Sequence, residues 1–152
     1  MIRILFVCHG NICRSVMAEY MMKAMVSSMG LADEFEIDSA AATREEIGNP
    51  IYRPARIKLE KMGVPIGDHR ARLLTWADYD RYDYLIGMDT ENMEDIHYIV
   101  QSDPDNKIRR LLSFTDHDRD IADPWYTGDF DTTYSEIQEG LIGLLNSVAL
   151  NG

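Results

Sequence analysis

Four apolar residues, Ile4, Leu5, Phe6 and Val7, run straight into the segment Cys8, His9, Gly10, Asn11, Ile12, Cys13, Arg14, Ser15, and from Val16 onward Met17, Tyr20, Met21 and Met25 recur at helical spacing. An apolar run without alternation predicts a strand covered on both faces, the environment of a parallel sheet. A strand that passes through a short loop into a helix forms the usual anion site of an α/β protein, because the helix N-terminal N–H groups face the carboxyl edge of the sheet. This one segment restricts the chain to a parallel α/β fold with a phosphate-sized cradle at a strand end.

The residue types in the loop suit such a cradle. Successive backbone N–H groups can point at a tetrahedral oxyanion, and the helix expected from Ser15 adds the positive end of its dipole. Gly10 can take positive φ at no steric cost, and Asn11 tolerates the left-handed region better than most residues. Arg14 presents a planar fork for two equatorial phosphoryl oxygens, a geometry lysine lacks. Cys8 would lie at the base among donors and a guanidinium, surroundings that favour the thiolate. Ser15 is expected to donate its hydroxyl to that sulfur and also to cap the helix. A buried cysteine is ordinarily an inert small hydrophobe; the strand before, the serine directly after Arg14 and the helical pattern beyond set this one apart.

Further strands are expected over residues 3–7, 34–39, 82–88 and 107–112, and helices over 15–28, 54–62, 75–80, 89–100 and 132–150. Pro54 suits a first helical turn, and Gly30 and Gly63 suit helix ends. This alternation predicts an α/β fold: a single-domain three-layer sandwich with a central four-stranded parallel sheet and helices on both faces. The 152 residues fit one domain, 1–152, and no repeat or linker divides them. Two loops rich in turn residues, 42–53 and 115–130, are long enough to carry function. No apolar run approaches the roughly 18 residues of a membrane span. The first strand follows the N-terminus without a leader pattern, and both cysteines fall in the anion loop, so a cytoplasmic protein is expected rather than a disulfide-stapled one. The formal charge of −11 excludes a nucleic-acid partner, which needs a basic face. It does not exclude a phosphate site, since charges beyond a Debye length of about 8 Å are screened while the loop and Arg14 act at contact.

A thiolate attacking phosphorus must expel an oxygen leaving group, and an acid speeds that step. The loop contains none. Asp123, followed by stiff Pro124 and the aromatics Trp125 and Tyr126, is the leading candidate, although Asp-Pro by itself also marks a turn or a helix start.

The segments VCHGNICRS, DHRAR (68–72) and ADPWY (122–126), together with IDSAA (37–41), EIGNP (46–50) and the pair Met88 and Asp89, resemble the low-molecular-weight protein tyrosine phosphatases over nearly the whole chain. The resemblance implies hydrolysis of phosphotyrosine and small aryl phosphates through a phosphocysteine, with Cys8 as nucleophile and Asp123 as general acid and then base. It implies that His9, Gly10, Asn11, Ile12, Cys13, Arg14 and Ser15 bind the phosphoryl group, and that Asn11, Ser15, Ser39 and His69 form a supporting hydrogen-bond network. It favours a reversible disulfide between Cys8 and Cys13 under oxidation. No cofactor or metal is expected in this chemistry. The implied partners are a tyrosine-phosphorylated protein or aryl phosphate, inorganic phosphate as product, and a tyrosine kinase as counterpart; neither nucleic acid nor membrane is expected.

Two departures qualify the substrate. Glu45 falls where eukaryotic members carry an aromatic wall of the slot, leaving Ile12 and Trp125 as apolar walls beside Tyr126. A missing aromatic contact removes about 0.5–1.5 kcal/mol of selection for an aryl group. Trp125 also replaces the first tyrosine of the commoner Tyr-Tyr pair, leaving Tyr126 as the phosphorylatable residue there. Glu45, Glu46, Asp120, Asp129 and Asp131 could form an acidic rim favouring basic peptides, or could be solvated loop charges. Three rival readings are weaker. A thiol-dependent arsenate reductase needs cysteines beyond Cys13, a phosphoprotein-binding module needs no general acid, and a nucleotide P-loop needs a second glycine and a lysine that the loop lacks.

Overall fold

The apolar run forms the centre of strand β1 (Ile2–Cys8) in the computed structural model, which describes the backbone of residues 1–151 and side chains through residue 148. Its side chains alternate between two cores. Ile4, Phe6 and Cys8 join Val16, Met17, Met22, Leu59, Ile137 and Leu141 on one face. Leu5 and Val7 join Leu74, Tyr79, Leu85, Ile96 and Val100 on the other. Both faces are dry, which is why the run shows no polar alternation.

The chain continues through α1 (Arg14–Ser28), a 3₁₀ turn at Ala32–Glu34, β2 (Phe35–Ala41), α2 (Arg53–Lys61), α3 (Asp78–Arg81), β3 (Tyr84–Gly87) and α4 (Thr90–Val100). It ends with β4 (Ile108–Arg110), a second 3₁₀ turn at Leu111–Phe114, α5 (Pro124–Thr127) and α6 (Phe130–Asn151). The four strands are parallel in the order β2-β1-β3-β4. Helices α1, α2 and α6 cover the first face, α3 and α4 the second. The expected three layers and four-stranded parallel sheet are thus present. Among the described residues no helix is long and apolar enough to cross a membrane.

The strand order places the loop after β1 at a topological switch point. From β1 the chain moves to β2 on one side and later to β3 on the other, so the crevice between the carboxyl ends of β1 and β3 is open to a ligand.

Several boundaries differ from the expectation. Strand β4 is three residues long because Leu111 and Leu112 leave the sheet in a 3₁₀ turn and bury against α6. Helix α3 begins at Asp78 rather than residue 75, since the Asp78 carboxylate accepts from the Thr75 N–H at 2.8 Å and closes the turn before it. Helix α6 begins at Phe130, two residues before the expected start at Thr132. The loop 115–130 contains α5, capped by Asp123, whose side chain accepts from the Trp125 N–H. Gly30 and Gly63 end α1 and α2 with φ of +73° each, as expected of helix stops.

Candidate active site

The loop between β1 and α1 curls around the N-terminus of α1, and its tightest point is Asn11, at φ +58°. Gly10 does not use the left-handed conformation open to it. Its missing side chain matters for space instead, because a Cβ there would lie 3.2 Å from Cγ of Glu46. Asn11 tolerates the left-handed region because its side chain and backbone are both held. Its Nδ2 donates to Ser15 Oγ at 2.8 Å, its Oδ1 accepts from the Arg72 N–H at 3.2 Å, and its carbonyl accepts from His69 Nε2 at 2.6 Å.

These bonds form a chain that ends on the sulfur. Ser15 Oγ lies 3.0 Å from Cys8 Sγ, and the Ser15 N–H points at the same sulfur from 3.4 Å. When Cys8 is ionised its sulfur only accepts, and the Ser15 hydroxyl, which accepts from Asn11, is then the donor in this contact. Ser15 does not cap α1, as had been expected; Cys13 occupies the N-cap position and the Ser15 hydroxyl is committed to the nucleophile. His69 is buried, and burial pushes its pKa below the ordinary value, so the neutral ring with Nε2–H is the form that holds Asn11. Ser39 departs from the expected network. Its hydroxyl donates to Glu19 Oε1 at 2.6 Å rather than to Asn11, Ser15 or His69, and the Glu19 charge acts on the His69 ring.

Arg14 is the first residue of α1, and its side chain is 2% exposed. One guanidinium nitrogen donates to Asp89 Oδ2 and to the Ile121 carbonyl, both at 2.7 Å, and the other lies 3.5 Å from Asp123 Oδ2. Burial disfavours this cation, but Cys8, Asp89 and Asp123 outweigh burial and raise its pKa above the ordinary arginine value. Asp89 was not singled out for this task by the sequence, although Met88–Asp89 matched the family. It sits just past β3, across the switch point from Cys8, and it also caps α4 by accepting from the Asn92 N–H at 2.7 Å.

The cleft above the loop is lined by Cys8, His9, Gly10, Ile12, Cys13, Arg14, Glu45, Glu46, Asp123, Trp125 and Tyr126. The cleft thus gathers the expected nucleophile, arginine, acid and slot residues, while Asn11, Ser15 and His69 hold its loop through hydrogen bonds. Cys13 is buried with Ile12 and Ala71, and burial, followed by the charge on Cys8, pushes its thiol strongly up. Glu45 stands at the mouth and takes a hydrogen bond from His9 Nε2 at 2.7 Å. Trp125 is backed by Tyr52, with ring centroids 4.7 Å apart and planes tilted by 47°. No motif in the sequence marks Tyr52 for this place. Its N–H donates to the Ile12 carbonyl, tying the slot wall to the loop. Of the five acids considered as a rim, Glu45 and Glu46 line the cleft. Asp120 pairs with Arg110, Asp129 caps α6 through Thr132, and Asp131 pairs with Lys58.

A thiol at the floor of an oxyanion cradle, an immobilised arginine and a carboxyl across the cleft, all at the carboxyl edge of a parallel sheet, define a cysteine-based phosphate enzyme. The family described as low molecular weight phosphotyrosine protein phosphatase matches residues 3–151, and the chain belongs to it. It is 35% identical over 150 residues to the low molecular weight protein-tyrosine-phosphatase YfkJ of Bacillus subtilis, covering 97% of this chain and 96% of that one. It is 34% identical over 138 residues to the human low molecular weight phosphotyrosine protein phosphatase, covering 88% and 87%. The crystal structure of YfkJ superposes with a TM-score of 0.95 over 99% of this chain and 96% of that one. That of DARP, a Drosophila arginine phosphatase 29% identical, superposes with a TM-score of 0.86 over 95% and 96%.

Proposed function

We propose that this protein tyrosine phosphatase works with Cys8 as nucleophile, Arg14 as the clamp for the phosphoryl oxygens and Asp123 as general acid and base. The observation that carries these roles is the Arg14 guanidinium, fixed between Asp89 and the Ile121 carbonyl in a cleft shared by Cys8 and Asp123. An arginine so held keeps its fork in place through the reaction and loses little freedom when the phosphoryl group arrives. In the first step the Cys8 sulfur bonds to phosphorus as the phosphorus–oxygen bond breaks, and Asp123 gives its proton to the departing tyrosine oxygen. In the second, Asp123 takes a proton from water, which attacks phosphorus, and the sulfur leaves to give inorganic phosphate. Ser15, whose proton points at the sulfur, stabilises Cys8 as it leaves.

Cys8→Ser should abolish turnover of a chromogenic aryl phosphate, and retention of most of the rate would remove Cys8 from the mechanism. Asp123→Asn should slow esters with poor leaving groups by about 10²–10⁴-fold and activated aryl esters least. An unchanged rate on phosphotyrosine would transfer the acid to another group. Side-by-side assays with phosphotyrosine, phosphoserine, phosphoarginine and arsenate test the substrate class. Glu45 and Glu46 at the mouth support a preference for basic residues flanking phosphotyrosine, which lysine- and glutamate-flanked peptides would read out.

Cys8 and Cys13 line the same cleft as free thiols, which supports an oxidative switch. Peroxide would convert Cys8 to the sulfenic acid with loss of water, and the Cys13 thiol would displace a second water to close a disulfide. Cys13→Ser protein should then recover less completely from peroxide on thiol addition. A reducing cytoplasm suits the working thiol, and a tyrosine kinase is the reaction class that supplies the substrate.

A further inference from the structure

The mouth of the cleft holds a second constellation, whose side chains take no part in the two proton-transfer steps above. Among the described residues, one set of three metal-ligating side chains brings a donor atom from each within 4.8 Å of the others: His9 from the loop after β1, and Glu91 and Asp95 from α4. Glu91 and Asp95 are four residues apart on one helix and share a face. Helix α4 starts just beyond the carboxyl end of β3, the strand beside β1, which brings that face to the loop. His9 Nδ1 lies 3.8 Å from Glu91 Oε1. The other ring nitrogen, Nε2, is 2.7 Å from Glu45 Oε2. A carboxylate only accepts, so in the neutral ring Nε2 carries the proton and the Nδ1 lone pair is left on the side of Glu91. An acceptor carboxylate behind an imidazole and a bare nitrogen in front is how proteins orient a metal-binding histidine.

We infer that His9, Glu91 and Asp95 bind a divalent transition-metal ion of the zinc class at the lip of the catalytic cleft, with Glu45 orienting His9. One imidazole nitrogen and two carboxylates form a donor set that Zn²⁺ takes in four-coordinate geometry at about 2.0–2.2 Å, leaving one position open. Tetrahedral bonds of that length set donor atoms roughly 3.4 Å apart, so the three side chains, whose donors already lie within 4.8 Å of one another, must draw together to take the ion. Mg²⁺ and Ca²⁺ prefer all-oxygen sets, and the imidazole selects against them. The ion would add positive charge to a mouth otherwise lined by Glu45 and Glu46, where a phosphoester dianion must enter. The competing account is an imidazolium bridging Glu45 and Glu91, which predicts no stoichiometric metal.

The test uses Cys8→Ser protein, which lacks the thiol that would compete for the ion, and reads binding rather than turnover, so its outcome is independent of the catalytic roles proposed above. Calorimetric titration with Zn²⁺, and titration with Co²⁺ followed by its visible absorption, should show one equivalent bound. In the same background, His9→Ala or the pair Glu91→Gln and Asp95→Asn should weaken binding at least about tenfold, and Glu45→Gln about 10–100-fold. Excess Mg²⁺ should not displace the ion. Glu91 is 71% exposed, so its substitution leaves the fold intact, with circular dichroism as the check. Absence of stoichiometric uptake, uptake unchanged in the paired variant, or equal competition by Mg²⁺ would each overturn the site.

Discussion

Asn11 and Asp89 show how single residues hold this cleft in shape. Asn11 accepts a left-handed backbone, a conformation that costs a non-glycine residue about 1–3 kcal/mol, and three hydrogen bonds offset that cost. Asp89 performs two tasks with its two oxygens, clamping Arg14 with Oδ2 and capping α4 with Oδ1. Asp89→Asn separates them. Asparagine caps a helix as well as aspartate does, but it removes the charge facing the guanidinium. The variant should melt within a few degrees of the parent while kcat falls about tenfold or more, as expected when a buried charge-assisted bond of about 1.5–3 kcal/mol is weakened. Steady-state kinetics beside a thermal melt decide it, and a large loss of stability with full activity would show that Asp89 serves only the helix.

At the scale of elements, the short β4 and the 3₁₀ turn after it are explained by α6. Gly140 and Gly143 let that helix approach the turn so closely that a Cβ on Gly140 would lie 2.5 Å from Leu111 Cγ, and one on Gly143 would collide with the Phe114 carbonyl oxygen. Replacing glycine by alanine inside a helix favours folding by about 1 kcal/mol. Overpacking costs about 1–3 kcal/mol, and a backbone carbonyl cannot rotate out of the way. The clash should win at Gly143, so Gly143→Ala should lower unfolding stability by up to about 2 kcal/mol in urea titration. A neutral or stabilised variant would mean that α6 can slide away from the turn. The same close approach accounts for the expected strand over 107–112 ending early. Leu111 and Leu112 read as strand by composition, yet a partner helix distant in sequence draws them inward.

Across the whole molecule, the order β2-β1-β3-β4 joins parts far apart in sequence. Cys8 ends β1 and Arg14 begins α1, Asp89 lies just beyond β3, and Asp123 belongs to the long connection before α6. His69 reaches the same cradle from the segment between α2 and α3 and makes the fold sensitive to acid. Its folded pKa is depressed, above all by burial. Above about pH 6.5 the ring is neutral whether folded or unfolded and adds no pH dependence. As pH falls through that value the unfolded chain binds a proton that the folded chain resists, so stability declines until the folded ring also protonates. Urea midpoints measured from pH 7.5 to 5 should fall with acid in the parent, and His69→Gln should flatten that slope by up to about 1.4 kcal/mol per pH unit. Equal slopes in both proteins would exclude His69 as the source.

The amino-acid sequence by itself determined the local chemistry of this phosphatase. An unalternating apolar strand, a Cys-x5-Arg-Ser loop and a helical repeat are contiguous, so their juxtaposition needs no long-range contact. The alternating pattern likewise determined the parallel sheet and its helical layers, because burial on two faces leaves a composition that can be read. Tertiary structure decided the partners. That Asp89 rather than solvent meets Arg14, that Ser39 turns to Glu19, that Tyr52 supports Trp125 and that His9 faces α4 all depend on which strand lies beside β1. The physical reason is that side-chain pairing is fixed by distances of a few ångströms between elements dozens of residues apart, and neither periodicity nor propensity carries that information.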